Sequence, residues 1–204
     1  MSRGMNEDAW EQLTLDVLAE PLGWRPEHGA RIAPGSGERE SWDEILIPSR
    51  LRAALRALNP AVPPSYLEQA FAMITAPASQ DAVAENYRIH GYLTEGFRGL
   101  TYIDETGQEQ TPTIRLISAD PDENDWLAVR QVTIAQGDVE RRFDVVLYLN
   151  GMPVAIIELK RAGAEQADVA AARAQLDTYL REFPLAFRFA VLVVASDGIG
   201  AKYG

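Results

Sequence analysis

Two carboxylates and a lysine form a pattern in this sequence that could hold a metal ion. Asp144 lies near the start of one β-rich run, and Glu158 and Lys160 lie at the end of the next. Mg²⁺ prefers hard oxygen ligands, and it can both neutralise phosphate charge and activate water. A lysine beside it can orient or deprotonate that water, or stabilise developing negative charge. The pattern therefore indicates metal-dependent hydrolysis of a phosphodiester.

A Glu-x-Lys tripeptide alone is weak evidence, because it arises by chance and often forms an ordinary surface ion pair. Here Glu158 and Lys160 are two residues apart in a strand pattern, so both side chains point to one face. The run before them, Val154–Ile157, is wholly apolar and predicts a strand buried on both faces. A carboxylate at the end of such a strand is costly unless it is paired or bound to a metal.

The two β-rich runs, Arg142–Leu149 and Val154–Lys160, predict a β-hairpin. Asn150-Gly151 lies between them, and Asn-Gly is a strong hairpin-turn signal. A strict two-residue turn would send Asp144 and Glu158 to opposite faces, because a one-residue slip inverts every side chain. We therefore expect a three-residue loop or a bulge that places Asp144 opposite Glu158. The same register would pair Val146 with Ile156 and Tyr148 with Val154.

A long helix is predicted from about Glu165 to Glu182, directly after the Glu-x-Lys strand. Gln175 and Tyr179 are four residues apart and so share one face of it. A tyrosine there is usually a core residue and a glutamine is usually solvated. In this position the pair could instead line the cleft and bind a phosphate or a base.

The rest of the sequence predicts a helical part, about 1–95, and a sheet-centred part, about 96–204, of a single α/β domain. Helices are expected from Asn6, from Ser41 up to Pro48, and over three further segments: Ser49–Leu58, one capped by Ser65, and Asp81–Ile89. Residues 25–40 indicate a loop. Strands are expected at Gly99–Asp104, Thr113–Ser118, Trp126–Ile134 and Phe187–Ala195, the last of them central and buried.

Composition and charge narrow the classes of protein to which this chain could belong. The chain has 204 residues and no cysteine, which excludes disulfides and thiolate metal sites. Its longest apolar run, Ala190–Ala195, is too short to cross a bilayer, and the acidic N-terminus lacks a signal-peptide pattern, so we expect a cytoplasmic protein. The net charge is −11: residues 1–140 carry 11 − 23 = −12 and residues 141–204 carry 8 − 7 = +1. The acidic excess thus lies outside the region of the expected site.

The stretch RRFDVVLYLNGMPVAIIELKRAG, residues 141–163, resembles the nuclease domain at the N-terminus of the restriction (R) subunit of type I restriction-modification enzymes. These enzymes belong to the PD-(D/E)xK superfamily and have a restriction-endonuclease-like mixed sheet flanked by helices. QLDTY matches the family's Gln-x-x-x-Tyr element, and WEQLTLDVLAEPLGW resembles its first helix. WLAVRQVTI and VVASDGIGAKYG resemble the strands before and after the site.

The resemblance implies roles for individual residues. Asp144 and Glu158 would bind Mg²⁺, and Glu11 would be a further acidic residue near the metal. Lys160 would serve the water or the transition state. Gln175 and Tyr179, the residues of the Gln-x-x-x-Tyr element, would assist DNA binding. Where the superfamily has a proline before the first carboxylate, this chain has phenylalanine.

The resemblance also implies partners. The substrate would be double-stranded foreign DNA, chosen by methyltransferase and specificity subunits. ATP would act only in a translocase part beyond this chain, since no Gly-x-x-x-x-Gly-Lys-Ser/Thr loop occurs here. We therefore expect the N-terminal fragment of a longer protein. The alternatives are a stand-alone nuclease of the superfamily in repair or defence, and a non-catalytic docking domain with the same fold. His28 and His90 are far apart in the sequence and are interpreted as bystanders.

Overall fold

The computed structural model describes residues 7–160, 169–197 and 200–204, and these residues form five α-helices and eight strands. The helices are α1 Glu7–Leu22, α2 Pro48–Leu58, α3 Pro64–Thr75, α4 Ala82–Glu95 and α5 Val169–Glu182. The strands are β1 Arg25–His28, β2 Tyr102–Ile103, β3 Glu109–Gln110, β4 Trp126–Gln136, β5 Val139–Leu149, β6 Met152–Leu159, β7 Leu192–Ser196 and β8 Ala201–Tyr203.

Six of the strands form one mixed sheet in the order β1-β4-β5-β6-β7-β8. The central strands β4, β5 and β6 are antiparallel, whereas β1 runs parallel to β4 and β7 runs parallel to β6. The strands β2 and β3 form a separate two-stranded ribbon. The predicted fold class, a mixed sheet flanked by helices with a helical N-terminal segment, is confirmed. Among the described residues, no helix is both long and apolar enough to cross a membrane.

Helices cover both faces of the large sheet. On one face, Leu176 of α5 and Phe183, which directly follows this helix, pack with Val146 and Ile156 in a buried cluster. On the other face, Leu15 of α1 packs with residues of β4, β5 and β6. Successive apolar side chains of β5 therefore pack into two separate cores, one on each face of the sheet, as expected for a strand buried on both sides.

The helices α2, α3 and α4 share a third cluster with the turn end of β6. Leu51, Leu67 and Ile89 from these helices pack with Met152 and Val154. The first half of the chain thus supports the strand that carries Glu158. Asp81 caps α4 by accepting hydrogen bonds from two backbone amides in its first turn. The predicted cap of α3 by Ser65 is wrong, because α3 already begins at Pro64 and has no side-chain cap.

The β5–β6 hairpin turns through Asn150-Gly151, and both residues have positive φ, 53° and 81°. Asparagine and glycine tolerate this left-handed region better than other residues. The Asn150 amide is buried and donates to the carbonyl of Leu116 at 2.9 Å. A Cβ on Gly151 would overlap the carbonyl of Ile47, so only glycine fits against α2 there.

A bulge corrects the register after this two-residue turn, as predicted. Val146 lies opposite Ile156, but Tyr148 lies opposite Pro153, with a shift between Leu147 and Tyr148. The expected pairing of Tyr148 with Val154 is therefore wrong, because Val154 is the extra residue of the bulge. One inserted residue shifts the following pairs by one and restores the register that a longer loop would have produced.

Two predictions for residues 25–47 are wrong. Within the predicted loop, Arg25–His28 form the edge strand β1, whose partner β4 is a hundred residues away in sequence and leaves no local signal. The predicted helix from Ser41 does not form. Instead, the buried Arg39 guanidinium donates to backbone carbonyls, including that of Glu44 at 2.9 Å, which holds this segment in an irregular path.

Three predicted strands are shorter or missing. The first is reduced to β2, and Thr113–Ser118 retains only an isolated bridge between Ile114 and Phe97. The last begins at Leu192, after a 3-10 turn at Pro184–Phe187, and only Ala195 within it is buried. The prediction of a buried strand in this segment was wrong, because the apolar residues that precede Leu192 are not in a strand and follow or belong to the 3-10 turn. The predicted start of the helix at Glu165 lies outside the described residues.

Candidate active site

Asp144 and Glu158 lie on neighbouring antiparallel strands, at the end of the ladder remote from the turn. The last residue pair of the β5–β6 ladder is Val145 with Ile157, so Asp144 and Glu158 occupy the next position on each strand. There the Asp144 carboxylate accepts a hydrogen bond from the backbone amide of Leu159 at 2.7 Å. The predicted placement of the two carboxylates side by side agrees with this geometry.

Lys160 follows the last residue of β6, and its backbone amide donates to the carbonyl of Ser196 in β7 at 2.8 Å. Its ammonium Nζ lies 2.8 Å from Glu158 Oε1. The backbone of Lys160 is thus tied to the neighbouring strand, while its side chain folds back over Glu158. The two residues share one side of the strand end, as their spacing predicts.

Glu158 is fully buried, with 0% of its surface exposed. Its Oε2 atom accepts no hydrogen bond from any donor in the part of the chain that the structure describes. Burial raises the pKa of Glu158 to about 8, and the nearby Asp144 carboxylate raises it further, while Lys160 opposes the rise. The charged form of Glu158 is therefore costly at neutral pH unless a cation compensates it.

Glu11 reaches the same region from α1, which packs on β1, β4 and β6. It is 2% exposed, and its Oε2 lies 3.8 Å from the guanidinium of Arg130. Burial raises the pKa of Glu11 to about 7, and the charge of Asp144 adds to this. The charge of Asp144 thus acts on both Glu11 and Glu158, although the three carboxylates do not form a tight group in the described part of the chain.

Gln175 and Tyr179 lie on one face of α5, where the Gln175 amide donates to the Tyr179 hydroxyl. The Tyr179 ring is buried and meets Phe143 edge-on at 5.1 Å, and its hydroxyl donates to the carbonyl of Arg142 at 3.3 Å. Burial raises the pKa of Tyr179 to about 12, with a contribution from the charge of Glu158. Tyr179 therefore packs against β5 as a core residue, and Gln175 is the more exposed of the two side chains. Their DNA-binding role stays a prediction.

Two residues near the site were missed by the sequence analysis, Arg130 and Gln131 of β4. Their signal was a consecutive pair of polar residues inside the otherwise apolar strand WLAVRQVTI. Gln131 has a positive φ of 57° and hydrogen bonds with Asp8 and with His28. His28, interpreted as a bystander, is thus connected to the site, although the structure does not make it a metal ligand.

The donor set fits Mg²⁺. Within residues 7–160, 169–197 and 200–204, no three acidic or histidine side chains converge tightly enough to enclose a metal ion. Two buried carboxylate oxygens, Glu11 Oε2 and Glu158 Oε2, nevertheless accept no hydrogen bond there. Such oxygens are unfavourable without a proton or a cation. Mg²⁺ keeps several of its waters and needs only one or two carboxylates, so this open arrangement suits it.

Comparison with known proteins identifies the family. The family model described as "Type I restriction enzyme R protein N terminus" matches residues 4–204. The chain is 30% identical, over 98% of its length, to the type I restriction enzyme HindI endonuclease subunit of Haemophilus influenzae. It is 25% identical, over 98% of its length, to the putative type I restriction enzyme MjaIXP endonuclease subunit of Methanocaldococcus jannaschii. The chain spans 19% of the length of each relative. It belongs to the family of type I restriction enzyme R protein N-terminal regions.

Proposed function

We propose that this chain is the Mg²⁺-dependent nuclease module of a type I restriction enzyme and hydrolyses phosphodiester bonds in foreign double-stranded DNA. The observation that carries the proposal is the fully buried Glu158, held between Asp144 and Lys160 with one carboxylate oxygen unpartnered in the described part of the chain. Family membership supports it, since the relatives are named endonuclease subunits.

Asp144 and Glu158 would hold the metal, with Glu11 as a further acidic group beside it. Bound Mg²⁺ would lower the pKa of a coordinated water and offset charge on the scissile phosphate. Asp144 is oriented for this role, because one oxygen is already fixed by the amide of Leu159 at 2.7 Å. A ligand whose direction is fixed by the backbone loses little entropy on binding.

Lys160 would act at the reacting phosphate. Its ammonium already lies 2.8 Å from Glu158, so it is held at the strand end rather than free to sample solvent. A cation at that position can orient the attacking water and stabilise the negative charge that develops on the phosphate oxygens. Gln175, bonded to Tyr179 on α5, would contact the DNA from that helix.

The strong acidity of the chain indicates that DNA is brought to the site by partners. A net charge of −11 disfavours tight independent binding to phosphates, because such binding requires clustered positive charge. Methyltransferase and specificity subunits would select the DNA, and an ATP-driven translocase in the same subunit would deliver it.

The test is cleavage by the assembled complex with Asp144→Ala or Lys160→Ala. Loss of the lysine should reduce the cleavage rate about a hundredfold or more, and loss of the aspartate at least as much, while ATP-driven translocation continues. Asp138→Ala, in the exposed β4–β5 turn, and Lys202→Ala, on β8, are matched controls that should cleave normally. Undiminished cleavage by either site variant would refute the assigned roles.

A further inference from the structure

The strand β4 departs from regular geometry at the position that faces Asp144. The preceding residue, Arg130, pairs with Val145, and the pairing resumes one residue after Gln131. Counting along the ladder, Gln131 falls opposite Asp144, and its φ of 57° lies in the left-handed region. A non-glycine residue there costs about 1–2 kcal/mol, so the surrounding structure must hold it in place.

The backbone of Gly29 provides part of that support. Gly29 directly follows the end of β1, and a Cβ at this position would overlap the carbonyl oxygen of Gln131. The glycine therefore allows the chain after β1 to approach Gln131 closely. This close contact restricts how the Gln131 backbone can relax.

A directed chain of hydrogen bonds orients the Gln131 side chain. The amide of Ala30 donates to His28 Nδ1 at 3.1 Å, so Nδ1 is the unprotonated nitrogen of a neutral ring. His28 Nε2 then carries the proton and faces Gln131 Oε1 at 3.2 Å. The remaining end of the amide, Nε2, donates to Asp8 Oδ1 at 3.0 Å. Each partner thus determines the direction of the next bond.

The bond from Gln131 to Asp8 also fixes the part of α1 that carries Glu11. Asp8 and Glu11 are three residues apart on α1 and share the face turned toward β4. Glu11 Oε2 lies 3.8 Å from the guanidinium of Arg130, the residue before Gln131 on β4. Two neighbouring residues of β4 thus contact two residues of α1, beside the position on β4 that lies opposite Asp144.

We propose that Gln131 is a positioning residue that holds α1 through Asp8 and so fixes the Glu11 carboxylate beside the metal site, and that His28 orients the Gln131 amide. Neither residue contacts the metal or the DNA. The inference rests on the proposed function, because it takes Glu11 as part of the metal site. It explains why a strained residue lies opposite Asp144 and why a glycine is required beside it.

The first experiment measures the affinity of the full chain for Mn²⁺ by calorimetry, with Gln131→Gly. Glycine accepts the positive φ, so this change removes the amide and relieves strain rather than adding it. Loss of a group that orients a ligand typically weakens metal affinity about 10–100-fold, and we expect a loss in that range. Gln136→Gly, the same change at the exposed end of β4, should bind Mn²⁺ like the wild type. Equal affinity of the Gln131→Gly and Gln136→Gly variants would overturn the inference.

A double-mutant cycle with Glu11→Gln separates positioning from a general structural effect. If Gln131 acts through Glu11, Gln131→Gly should have little further effect on Mn²⁺ affinity once Glu11 is changed. Additive losses would overturn the inference and leave the proposed function intact. A wild-type chain that binds no Mn²⁺, even with DNA, would instead overturn both.

His28→Ala tests the hydrogen bond between His28 and the Gln131 amide, and it leaves Gln131 itself, with its strained backbone, unchanged. Loss of the ring should weaken Mn²⁺ binding less than Gln131→Gly does, since the amide keeps its bond to Asp8. A thermal melt of each variant checks that the fold is retained. Wild-type affinity in a folded His28→Ala variant would refute the role assigned to His28.

Discussion

The Asp144 carboxylate accepts a hydrogen bond from the backbone amide of Leu159 at 2.7 Å, which joins β5 to β6 between the two other residues of the site. Leu159 separates Glu158 from Lys160 in sequence, so this bond fixes Asp144 against the backbone that lies between them. The bond needs an acceptor oxygen but not a negative charge. Charge and position of Asp144 can therefore be separated experimentally.

Asp144→Asn should preserve this bond and remove the charge that raises the pKa of Glu11 and Glu158. We expect the metal-free variant to melt at a higher temperature than the wild type at pH 8, because less buried negative charge accumulates. Added Mg²⁺ should stabilise the wild type and not the variant. Asp138→Asn is the matched control and should behave like the wild type; a lower melting temperature for Asp144→Asn would contradict the prediction.

The contribution of Glu158 to the stability of the metal-free protein should fall as the pH rises from about 4.3 toward 8. Glu158 has a folded-state pKa of about 8, whereas a glutamate in an unfolded chain titrates near about 4.3. The folded state therefore binds the proton more tightly, and the stability from the protonated acid is present below the lower value and lost through the upper one.

Glu158→Gln isolates this contribution, because the amide cannot titrate. The difference in unfolding free energy between wild type and variant, measured by urea denaturation in chelator from pH 4 to 9, should increasingly favour the variant as pH rises. Other groups, such as Asp104, whose pKa is lowered by its hydrogen bonds, cancel in that difference. Parallel pH profiles for the two proteins would show that Glu158 titrates normally.

Glu11→Gln should weaken Mn²⁺ binding without abolishing it, since Asp144 and Glu158 remain. The effect should grow above pH 7, because the wild-type carboxyl, with a pKa of about 7, is charged only there. Glu20 lies on the exposed face of the same helix, so Glu20→Gln controls for the loss of a charge on α1. Calorimetric titrations at pH 6 and pH 8 provide the comparison, and equal affinity of both variants at pH 8 would exclude Glu11 from the site.

Tyr179→Phe and Gln175→Ala should separate support of the strand from contact with DNA. Tyr179→Phe retains the ring against Phe143 and loses the bond to Arg142, which should cost about 1 kcal/mol of unfolding free energy. Gln175→Ala should leave stability nearly unchanged and weaken DNA binding by the assembled complex. Urea denaturation and DNA-binding titrations measure the two effects. A large loss of stability with Gln175→Ala would place that residue in the core instead.

Local patterns in the sequence predicted most of the helices, the hairpin and the principal residues of the candidate site. The Asn-Gly turn, the apolar run before Glu158 and the spacing of Gln175 and Tyr179 each depend on residues close together in the chain. These are short-range relationships, and backbone geometry makes them readable. They also predicted that either a three-residue loop or a bulge aligns Asp144 with Glu158, and the structure has the bulge.

Tertiary structure alone decided the partners that come from distant parts of the chain. Arg25–His28 became a strand only through pairing with β4, and residues 41–47 lost their predicted helix to the buried Arg39. The contact of Glu11 with Arg130, and the strained Gln131 opposite Asp144, likewise depend on how α1 and β1 pack on β4. Such contacts follow from burial and from pairing between separate elements of the fold, for which no local pattern exists.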